Sequence, residues 1–387
     1  MRLKLKNTPE QVELIKKVGS RNVVESAEAM EALAAFVGPV IQKVLAQAGT
    51  ASMIYRDMEY NEDDSPSYPL DLYYNEAAGL VSVWAQNVAG GLPSNYMDQP
   101  VQELKIATYR LDSAVSFNKK YARKARLDVV SGALDRMTQE VLVKQERNAW
   151  AVILKALGAA ATKDGRSVSY SVSGARKHLI IPQGGVANRS FDLACLNDLI
   201  LNFKRINVSF SGGTPSDVSA RGLTDLFISP EVKAKIRSFS FQPLFDTSSS
   251  PAKQTQLPED IRTEIYRTAG AESLFGINLV ELVELGKNQK YNVLFDSFDV
   301  TTYADVMGTG TQAFSGSSYD LSIGLDLSRD AFIRPVSTNA ESGGQLTVLP
   351  DDQFISRAEK TGFYGFLEEG RICVDARALG GIFTTTP

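Results

Sequence analysis

A long amphipathic helix is the feature that most constrains how this chain can fold. The residues of one face recur at steps of three, four or seven over about thirty positions: Leu127, Val130, Leu134, Met137, Val141, Asn148, Val152 and Ala156. Gly158 follows and is predicted to end the helix. At 1.5 Å per residue such a helix is about 45 Å long, enough to cross most of an ordinary domain. We therefore expect it to be the element against which smaller elements pack.

An apolar and aromatic segment precedes this helix and has no covering partner nearby in the sequence. It extends from Pro69 to Gln102, is interrupted by glycine and proline, and carries Leu70, Leu72, Tyr73, Tyr74, Val81, Val83 and Trp84. Strand residues that nothing nearby in sequence can cover usually pack on another chain. The succession of such a segment and an oversized helix indicates a building block rather than an enzyme.

Composition narrows the class of protein further. The 387 residues are enough for two or three domains, and 43% apolar with 22% charged residues is typical of a folded, soluble protein. A formal net charge of -4 argues against a dedicated nucleic-acid binder and leaves weak, local contact open. No apolar run approaches the roughly eighteen residues of a membrane span. Cys195 and Cys373, without a signal peptide, predict two reduced, buried thiols and synthesis inside the cell.

Two short helices are predicted at the N-terminus. Thr8 to Gln11 has a capping hydroxyl, proline at the first helical position and glutamine three residues after the cap, and one apolar stripe follows: Val12, Ile15 and Val18. A second helix is predicted from about Val23 to Val37, where Gly38-Pro39 ends it. An arm of about fifty residues buries too little surface to be stable alone. We expect it to lie on its own subunit or on a neighbour.

Charged residues accompany the strand that leads into the long helix. An acidic cluster lacks the glycine and the terminal glutamate of a calcium loop and is interpreted as a solvated turn: Asp57, Glu59, Glu62, Asp63 and Asp64. Leu104 to Phe117 is predicted to be one long strand. A basic run follows, and we interpret it as a solvated helix entrance, with contact to a packaged polyanion as the alternative: Lys119, Lys120, Arg123, Lys124 and Arg126.

Strand and helix signals alternate in the second half of the chain. A helix is predicted near Phe191 to Ile206, a strand at Leu223 to Ile228 and a helix at Val232 to Phe239, which Ser229-Pro230-Glu231 caps. This order is α/β alternation. Further strands are predicted at Ile277 to Leu285, in Leu321 to Val336 and, half-buried, at Arg371 to Ala378, and loops at Ala159 to Arg189 and Gln242 to Pro258.

The sequence offers no set of residues that can be assembled into a catalytic site. His178 stands alone between basic neighbours that disfavour its protonated form, so we expect a surface or structural role. Gly308-Thr-Gly310 lacks the third glycine of a dinucleotide loop and is interpreted as a turn. The pairs Glu368-Glu369 and Asp351-Asp352 are adjacent, which is no sign of a shared cleft. We therefore predict no enzyme, no cofactor and no metal.

In the order of its predicted elements and in several short sequence stretches, the chain resembles the major capsid proteins of tailed bacteriophages, which have the Hong Kong phage-type or Johnson fold. The resemblance covers nearly the whole chain and includes four shorter stretches similar to the family's A-domain and closing segments: Leu223 to Ile236, Leu274 to Ile277, Asp326 to Phe332 and Gly370 to Ala378. It implies an α+β fold with these parts: an N-terminal helical arm at 1–50, a P-domain strand region at 51–65, an extended E-loop with its return strand at 66–112, a P-domain at 113–190 with a spine helix at about 122–157, an α/β A-domain at 191–335 and a C-terminal return to the P-domain sheet at 336–387.

The resemblance also implies a function and partners. A protein of this family self-assembles into hexamers and pentamers that form the icosahedral shell around phage double-stranded DNA. The implied place is the virion, after synthesis and assembly in the host cytoplasm. The implied partners are further copies of the chain, a separate scaffolding protein, a portal, a decoration protein and DNA contacted without sequence specificity, with no membrane.

Two sets of site residues follow from the resemblance. We expect four E-loop residues to anchor neighbouring subunits, because buried aromatic groups dominate interface energies: Tyr73, Tyr74, Trp84 and Leu92. We expect four basic residues to contact DNA or acidic groups of a neighbouring subunit: Lys119, Lys120, Arg123 and Arg126.

Two departures from the family pattern refine these expectations. Some relatives join subunits through an E-loop lysine, but the segment from Pro69 to Val101 contains none, so we expect noncovalent adhesion. Some carry a long N-terminal scaffolding segment, whereas here a short arm precedes the body.

The alternatives are an encapsulin-like nanocompartment shell and another virion structural protein, such as a tail or portal component. An α/β hydrolase-type enzyme is disfavoured because no nucleophile, base and orienting group can be assembled.

Overall fold

The chain forms two compact units, each built from segments that are separate in sequence. The first contains 1–69, 103–150 and 332–372, and the second 70–102, 151–331 and 373–387. The computed structural model describes residues 8–61, 65–70, 102–124, 127–162, 178–180, 191–206, 222–240, 258–267, 273–298, 313–328, 330–338, 345–351 and 359–385. The mixture of helices and sheets confirms the α+β class.

Three helices open the first unit: α1 (Pro9–Val18), α2 (Val23–Ala48) and α3 (Ala51–Ile54). The predicted stripe of α1 is confirmed, since Ile15 and Val18 are buried. Pro9 begins the helix as expected, but the Thr8 side chain forms no capping hydrogen bond. Helix α2 is capped instead by Asn22, whose side chain accepts from the Val24 N–H.

The prediction that Gly38-Pro39 ends the second helix is wrong, because α2 continues through both residues to Ala48. Proline in a helix interior costs about 3 kcal/mol. Beyond it, however, Ile41 is 1% exposed and Leu45 is partly buried against the same core. Full burial of a large aliphatic side chain contributes about 1.5–3 kcal/mol, so packing of the last turns offsets the proline.

One six-stranded sheet forms in the described part of the first unit, from β1 (Arg56–Asn61), β4 (Thr108–Asn118), β10 (Phe332–Thr338), β11 (Thr347–Pro350), β12 (Lys360–Gly370) and β13 (Ile372–Cys373). The order β1-β10-β12-β11 is extended by β4, which pairs antiparallel with β12 over its full length, and by β13, which pairs with β10. Strand β1 is parallel to β10. Segments distant in sequence therefore meet in this sheet.

Two predictions need correction: the solvated turn at the acidic cluster and the single strand at 104–117. Asp57 and Glu59 lie in β1, where they alternate with the half-buried Met58 and Tyr60, so these two acids are strand residues and not part of a turn. Their alternation with apolar neighbours is a strand signal that the charge cluster obscured. The strand predicted at 104–117 is two strands: β3 (Gln102–Lys105), which pairs with β2 (Ser67–Leu70), and β4. Residues 62–64 lie outside the described part.

The long helix is confirmed as α5 (Leu127–Thr162), preceded by a separate short helix, α4 (Lys119–Arg123). Its 36 residues make it about 54 Å long. It does not end at Gly158, because Leu157 and Ala160 are buried and the packing extends the helix past the glycine. On the predicted face, Val130, Leu134, Met137 and Val141 are buried, whereas Asn148, Val152 and Ala156 are half-buried. The fully buried apolar positions after Gln145 lie beside that face, at Ala149, Trp150, Ile153, Leu154 and Leu157.

The second unit is organised around another six-stranded sheet. Its order is β5 (Leu179–Ile180), β14 (Leu379–Thr385), β9 (Tyr319–Leu325), β6 (Asp225–Ile228), β8 (Ile277–Glu281) and β7 (Ser273–Leu274). Strands β6 and β8 are parallel, as are β14 and β5, whereas β9 is antiparallel to both of its neighbours. The helices are α6 (Leu193–Ile206), α7 (Pro230–Ser238), α8 (Glu259–Arg267) and α9 (Lys290–Asp296).

Most sequence signals of the second unit agree with this structure. Helix α6 is confirmed, and so is the cap of α7, where the Ser229 side chain accepts from the Val232 N–H at 3.1 Å. The strand predicted to Leu285 ends at Glu281. The two long predicted loops are described only in part: residues 159–162 are helical, Leu179–Ile180 is β5, and 241–257 lie outside the described residues.

The half-buried strand predicted at Arg371 to Ala378 is wrong. Only β13 is a strand there, and Ala376–Ala378 forms a 3-10 turn before β14 begins. Asp375 causes the difference, because its side chain accepts from the Arg377 N–H at 3.0 Å and stabilises the turn. Such a local hydrogen bond from a side chain to the backbone competes with strand pairing. The alternation of polar and apolar residues was therefore not enough to make this segment a strand.

Candidate intersubunit and anion-contact site

A cavity of about 380 Å³ in the first unit is lined by basic side chains from helix α4 and from the bend between α1 and α2. It lies between the start of α2, helix α4 and the ends of β11 and β12. Arg21, Lys119 and Arg123 line it, together with the acid Glu359. The cationic side chains therefore outnumber the acid at this cavity. An acidic group with an apolar part would suit such a site, because charge-assisted hydrogen bonds to carboxylate or phosphate are among the strongest.

Short hydrogen bonds hold the basic helix α4 against its neighbours. The Asn118 side chain accepts from the Lys120 N–H at 2.9 Å, and the Lys119 N–H donates to the Glu359 carbonyl at 2.8 Å. Arg123 Nε donates to the Gly19 carbonyl at 2.9 Å. A side chain at Gly19 would come within 2.6 Å of the Arg123 backbone nitrogen, so only glycine permits this approach. Arg123 thus has a structural contact besides its place at the cavity.

Apolar groups complete the cavity. Val23, Ala27, Met30 and Pro350 line it, and Val23 is 57% exposed whereas Met30 is buried. The cavity therefore combines cations with apolar surface, a composition suited to a protein partner or an anionic ligand. It brings together no nucleophile with a base and can do no evident covalent chemistry.

The structure brings some of the predicted site residues together. Lys119 and Arg123 both line the cavity, whereas Lys120 in the same helix is exposed and does not. Arg126 and the four E-loop residues lie outside the described residues: Tyr73, Tyr74, Trp84 and Leu92. Arg21 was missed, because it is remote in sequence and no spacing rule relates it to α4.

A buried carboxylate joins several segments of the first unit. Glu369 is 0% exposed and accepts hydrogen bonds from four side chains: Arg334 Nε at 2.7 Å, Tyr109 OH at 2.8 Å, Gln145 Nε2 at 3.2 Å and Arg371 Nη2 at 3.3 Å. Burial and the neighbouring Glu369 raise the pKa of Tyr109 to about 12. The sequence contains no signal for this cluster, since all its members except Arg371 are separated from Glu369 by long stretches of chain.

Glu368 lies on the other face of strand β12, as adjacent strand residues must. Its carboxylate accepts from Tyr60 OH at 3.1 Å and Thr108 Oγ1 at 2.8 Å. The two adjacent acids therefore share no cleft. Because Glu368 and Glu369 face opposite sides of the sheet, they support a structural role and not a shared acid–base site.

The sheet face that carries Glu368 also presents aromatic side chains. Tyr364 and Phe366 are half-buried there, and the Arg110 guanidinium lies 4.0 Å from the centre of the Phe366 ring. Tyr364 OH and Arg110 both donate to Asp112, and these hydrogen bonds lower the pKa of that carboxyl. Leu349, opposite Tyr364 in β11, is 46% exposed. This face is a second surface with apolar groups accessible to solvent.

The remaining candidates have structural roles. His178 is buried, its Nδ1 lies 2.8 Å from the Leu379 carbonyl, and burial lowers its pKa; the structural role is confirmed and the surface role is not. Neither cysteine is part of a disulfide. Cys195 is buried as predicted, whereas Cys373 is only half-buried, and burial of its thiol raises its pKa to about 12. Gly308-Thr-Gly310 and Asp352 lie outside the described residues.

The part of the chain that the structure describes contains neither a metal-binding cluster nor a helix able to span a membrane. In that part, no three or more histidine, cysteine or acidic side chains are grouped so that they could hold a metal ion. None of its helices combines the length and apolarity that crossing a bilayer requires.

Comparison with known proteins finds solved structures that are similar to this chain at low sequence identity. No protein-family model and no curated protein matches the sequence. The capsid of the cyanophage P-SCSP1u is similar, with 13% identity, coverage of 86% of this chain and 87% of that chain, and a TM-score of 0.49. The cyanophage Pam1 capsid has 12% identity, coverage of 86% and 88%, and a TM-score of 0.47. An encapsulin complex from Synechococcus elongatus PCC 7942 has 11% identity, coverage of 85% of both chains and a TM-score of 0.41.

Proposed function

We propose that this chain is the major capsid protein of a tailed bacteriophage and that its copies assemble into the hexamers and pentamers of an icosahedral shell around double-stranded DNA. The observation that carries the proposal is the order of elements. N-terminal helices are followed by an apolar segment, the 36-residue helix α5, an α/β unit and a return to the sheet of the first unit through β10 to β12. This is the order of arm, E-loop, spine helix, A-domain and closing P-domain strands in the family that the sequence resembles.

Shell assembly would explain why the sequence carries an apolar, aromatic segment with no covering partner nearby in the chain. A standard protein interface buries about 1,600 Å², and a shell repeats it many times, so modest contacts add to a stable whole. The E-loop residues proposed as anchors are Tyr73, Tyr74, Trp84 and Leu92. Their adhesion would be noncovalent, because the segment contains no lysine.

The basic residues in and next to α4 are proposed to contact anionic groups. Lys119, Lys120, Arg123 and Arg126 would contact DNA or acidic groups of a neighbouring subunit, and the cavity that Lys119 and Arg123 share with Arg21 supports an anionic partner. With a formal net charge of -4, the whole chain would bind DNA only weakly, which suits packaging and release.

The proposed surroundings follow from this function. The protein would reside in the virion shell after assembly in the host cytoplasm, without enzyme activity of its own. Its partners would be a separate scaffolding protein, a portal and a decoration protein.

Electron microscopy of the purified chain tests the proposal. We expect closed shells, formed alone or with scaffolding protein, whereas discrete rings, tubes or monomers under both conditions would contradict it. Nuclease-resistant DNA inside shells from infected cells distinguishes a phage capsid from a compartment that encloses enzymes.

The anchor residues need a separate experiment. Trp84→Ala should lower shell yield, because a buried aromatic anchor contributes more than its neighbours. The exposed Val143→Ala on α5 is the control and should assemble normally. Equal yields for all three proteins would remove Trp84 from the anchors and leave the capsid proposal standing.

A further inference from the structure

The turn between strands β7 and β8 holds a bulky side chain in a backbone conformation that such side chains rarely adopt. Leu274 pairs with Ile277, so the turn consists of two residues, Phe275 and Gly276. Their φ angles are +53° and +77°. A type I′ hairpin turn requires positive φ at both central residues, and asparagine followed by glycine is the usual pair there. Gly276 fits that pattern and Phe275 does not.

The other non-glycine residue with a positive φ in the described part of the chain shows the usual solution. It is Asn288, with a φ of +59°. Asparagine tolerates the left-handed conformation, whereas a bulky side chain there is an outlier. Strain of this kind is typical of positions that serve a function. Phe275 therefore needs a reason other than the turn itself.

The core of the second unit does not supply that reason. The two residues that flank the turn, Leu274 and Ile277, are each 3% exposed and belong to the apolar core, whereas Phe275 is 54% exposed. The strands therefore fix the hairpin, and the turn presents an aromatic ring to solvent from a rigid support. A ring held in this way loses little conformational entropy when a partner covers it.

The other end of β8 carries exposed apolar side chains as well. Val283 follows the strand and is 72% exposed, and Val293 of α9 is 54% exposed. The start of α9 is bonded to the same segment, since the Tyr291 N–H donates to the Glu284 carbonyl at 3.0 Å. We call Val283 and Val293 the valine patch. The five residues of β8 span about 16 Å, so Phe275 and Val283 cannot meet within one copy.

The hairpin also lacks the charges that usually prevent association. Strand β7 is the last strand of the described sheet, and residues 273–280 include no charged side chain, in a chain of which 22% is charged. Natural proteins protect exposed strand edges with charged side chains, especially lysine. An exposed ring without such protection is typical of a surface that a partner covers.

We propose that Phe275 of one copy packs against the valine patch of a second copy, so that copies join head to tail through their second units. The partner is a second copy because the chain carries both halves of the contact, at opposite ends of one strand. Head-to-tail contacts close into rings when the rotation between copies allows it. The inference rests on the proposed self-assembly and names one contact within its hexamers and pentamers.

Two substitutions at position 275 separate this contact from stability. Phe275→Ala removes the ring and keeps the strained backbone, whereas Phe275→Asn removes the ring and relieves the strain. In urea unfolding of the dissociated full chain, the folding equilibrium constant of the asparagine variant should exceed that of the alanine variant about fivefold. The concentration of full chain needed for shell assembly, followed by light scattering, should rise about 30-fold for both variants, as expected on loss of a central interface residue.

Leu201→Ala is the matched control, because Leu201 of α6 is another exposed apolar residue of the second unit. It should assemble at the same concentration as the natural chain. If Phe275→Asn assembles as readily as the natural chain, or if Leu201→Ala loses as much, the contact is wrong and the capsid proposal stands. If the natural chain stays monomeric with and without scaffolding protein, both proposals are wrong.

Cross-linking identifies the surface that receives the ring. Benzoylphenylalanine, a photoreactive residue, keeps an aromatic ring at position 275. Assembly from a mixture of isotope-labelled and unlabelled copies marks the cross-links that form between copies. We expect mixed-label cross-links to peptides that contain Val283 or Val293. Cross-links to other parts of the chain, or none between assembled copies, would overturn the contact.

Discussion

Each unit of this protein buries a carboxyl group completely, but the two groups are compensated in different ways. Glu369 in the first unit is held by Arg334, Arg371 and two neutral donors. Asp320, in β9 of the second unit, is also 0% exposed, but it is bonded by the Ser229 hydroxyl and the Leu321 backbone N–H, and no cation pairs with it among the described residues. Charge removed from water requires either an opposite charge or a proton. The first unit supplies opposite charges, whereas in the second unit burial and Glu231 raise the pKa of Asp320 to about 6, so that this group holds a proton only in acidic solution.

The two solutions have different structural consequences. The donors to Glu369 come from three strands or turns and from helix α5, so one carboxylate connects segments that are far apart in sequence. Asp320 connects only β9 to the start of α7. We therefore expect the first unit to depend on Glu369 for its assembly and the second to depend on Asp320 for its response to pH.

The largest expected effect is that of Glu369→Gln. The change removes the carboxylate partner of the Arg371 guanidinium, whose side chain is 3% exposed, and leaves Arg334 only its pair with the exposed Asp57. Breaking a buried ion pair from one side costs about 3–5 kcal/mol. Urea unfolding gives the free energy of unfolding. The control is Glu368→Gln on the other face of the strand, where two hydroxyl donors can bond to the amide oxygen and about 1 kcal/mol should be lost. Similar losses for the two variants would contradict the role assigned to Glu369.

A smaller effect is expected from Tyr109→Phe, which removes one neutral donor and leaves both arginines. The loss should be about 1–2 kcal/mol, the usual cost of leaving a buried acceptor without one partner. Absorbance titration of the natural chain provides a second readout. Because burial and Glu369 raise its pKa to about 12, Tyr109 should ionise well after an ordinary tyrosine, whose pKa is about 10. The late titration step should vanish in the variant, and its persistence would show that the assignment is wrong.

The smallest effect is expected from Ser229→Ala, which removes the cap of α7. Loss of a serine cap typically costs about 1 kcal/mol. It also removes the hydroxyl donor that favours ionised Asp320, so the pH at which stability is lost should move upward. Asn22→Ala removes the exposed cap of α2 in the first unit and should cost a similar amount without moving that pH. If the pH at which stability is lost shifted in both variants, or in neither, the proposed difference between the two units would be wrong.

Local signals in the sequence predicted several elements because their causes are local. The stripe of α1, the cap of α7 and the long apolar face of α5 depend on neighbours a few residues away, and each is present. Predictions of where elements end were less successful. Helix α2 passes Pro39 because Ile41 is buried by distant residues, and 371–378 turns because Asp375 bonds its own backbone.

The candidate site could be predicted only in part. Lys119 and Arg123 were identified as a basic run, but Arg21 joins them through the contact between α1 and α4, which no spacing in the sequence announces. Asp320 and Glu369 read as ordinary strand acids. Their burial and their partners arise only when remote strands pair.

The sequence by itself determined that this chain has a dominant helix, an α/β second half and no recognisable catalytic motif, because residue periodicity, caps and motif spacing act over short distances. The tertiary structure alone decided which acids are buried, which of them receive arginine or a proton, and how far the helices extend. These outcomes depend on solvent exclusion and on contacts between residues hundreds of positions apart, such as Tyr60 with Glu368. The long helix was evident from its pattern, but its end past Gly158 was set by what packs on it.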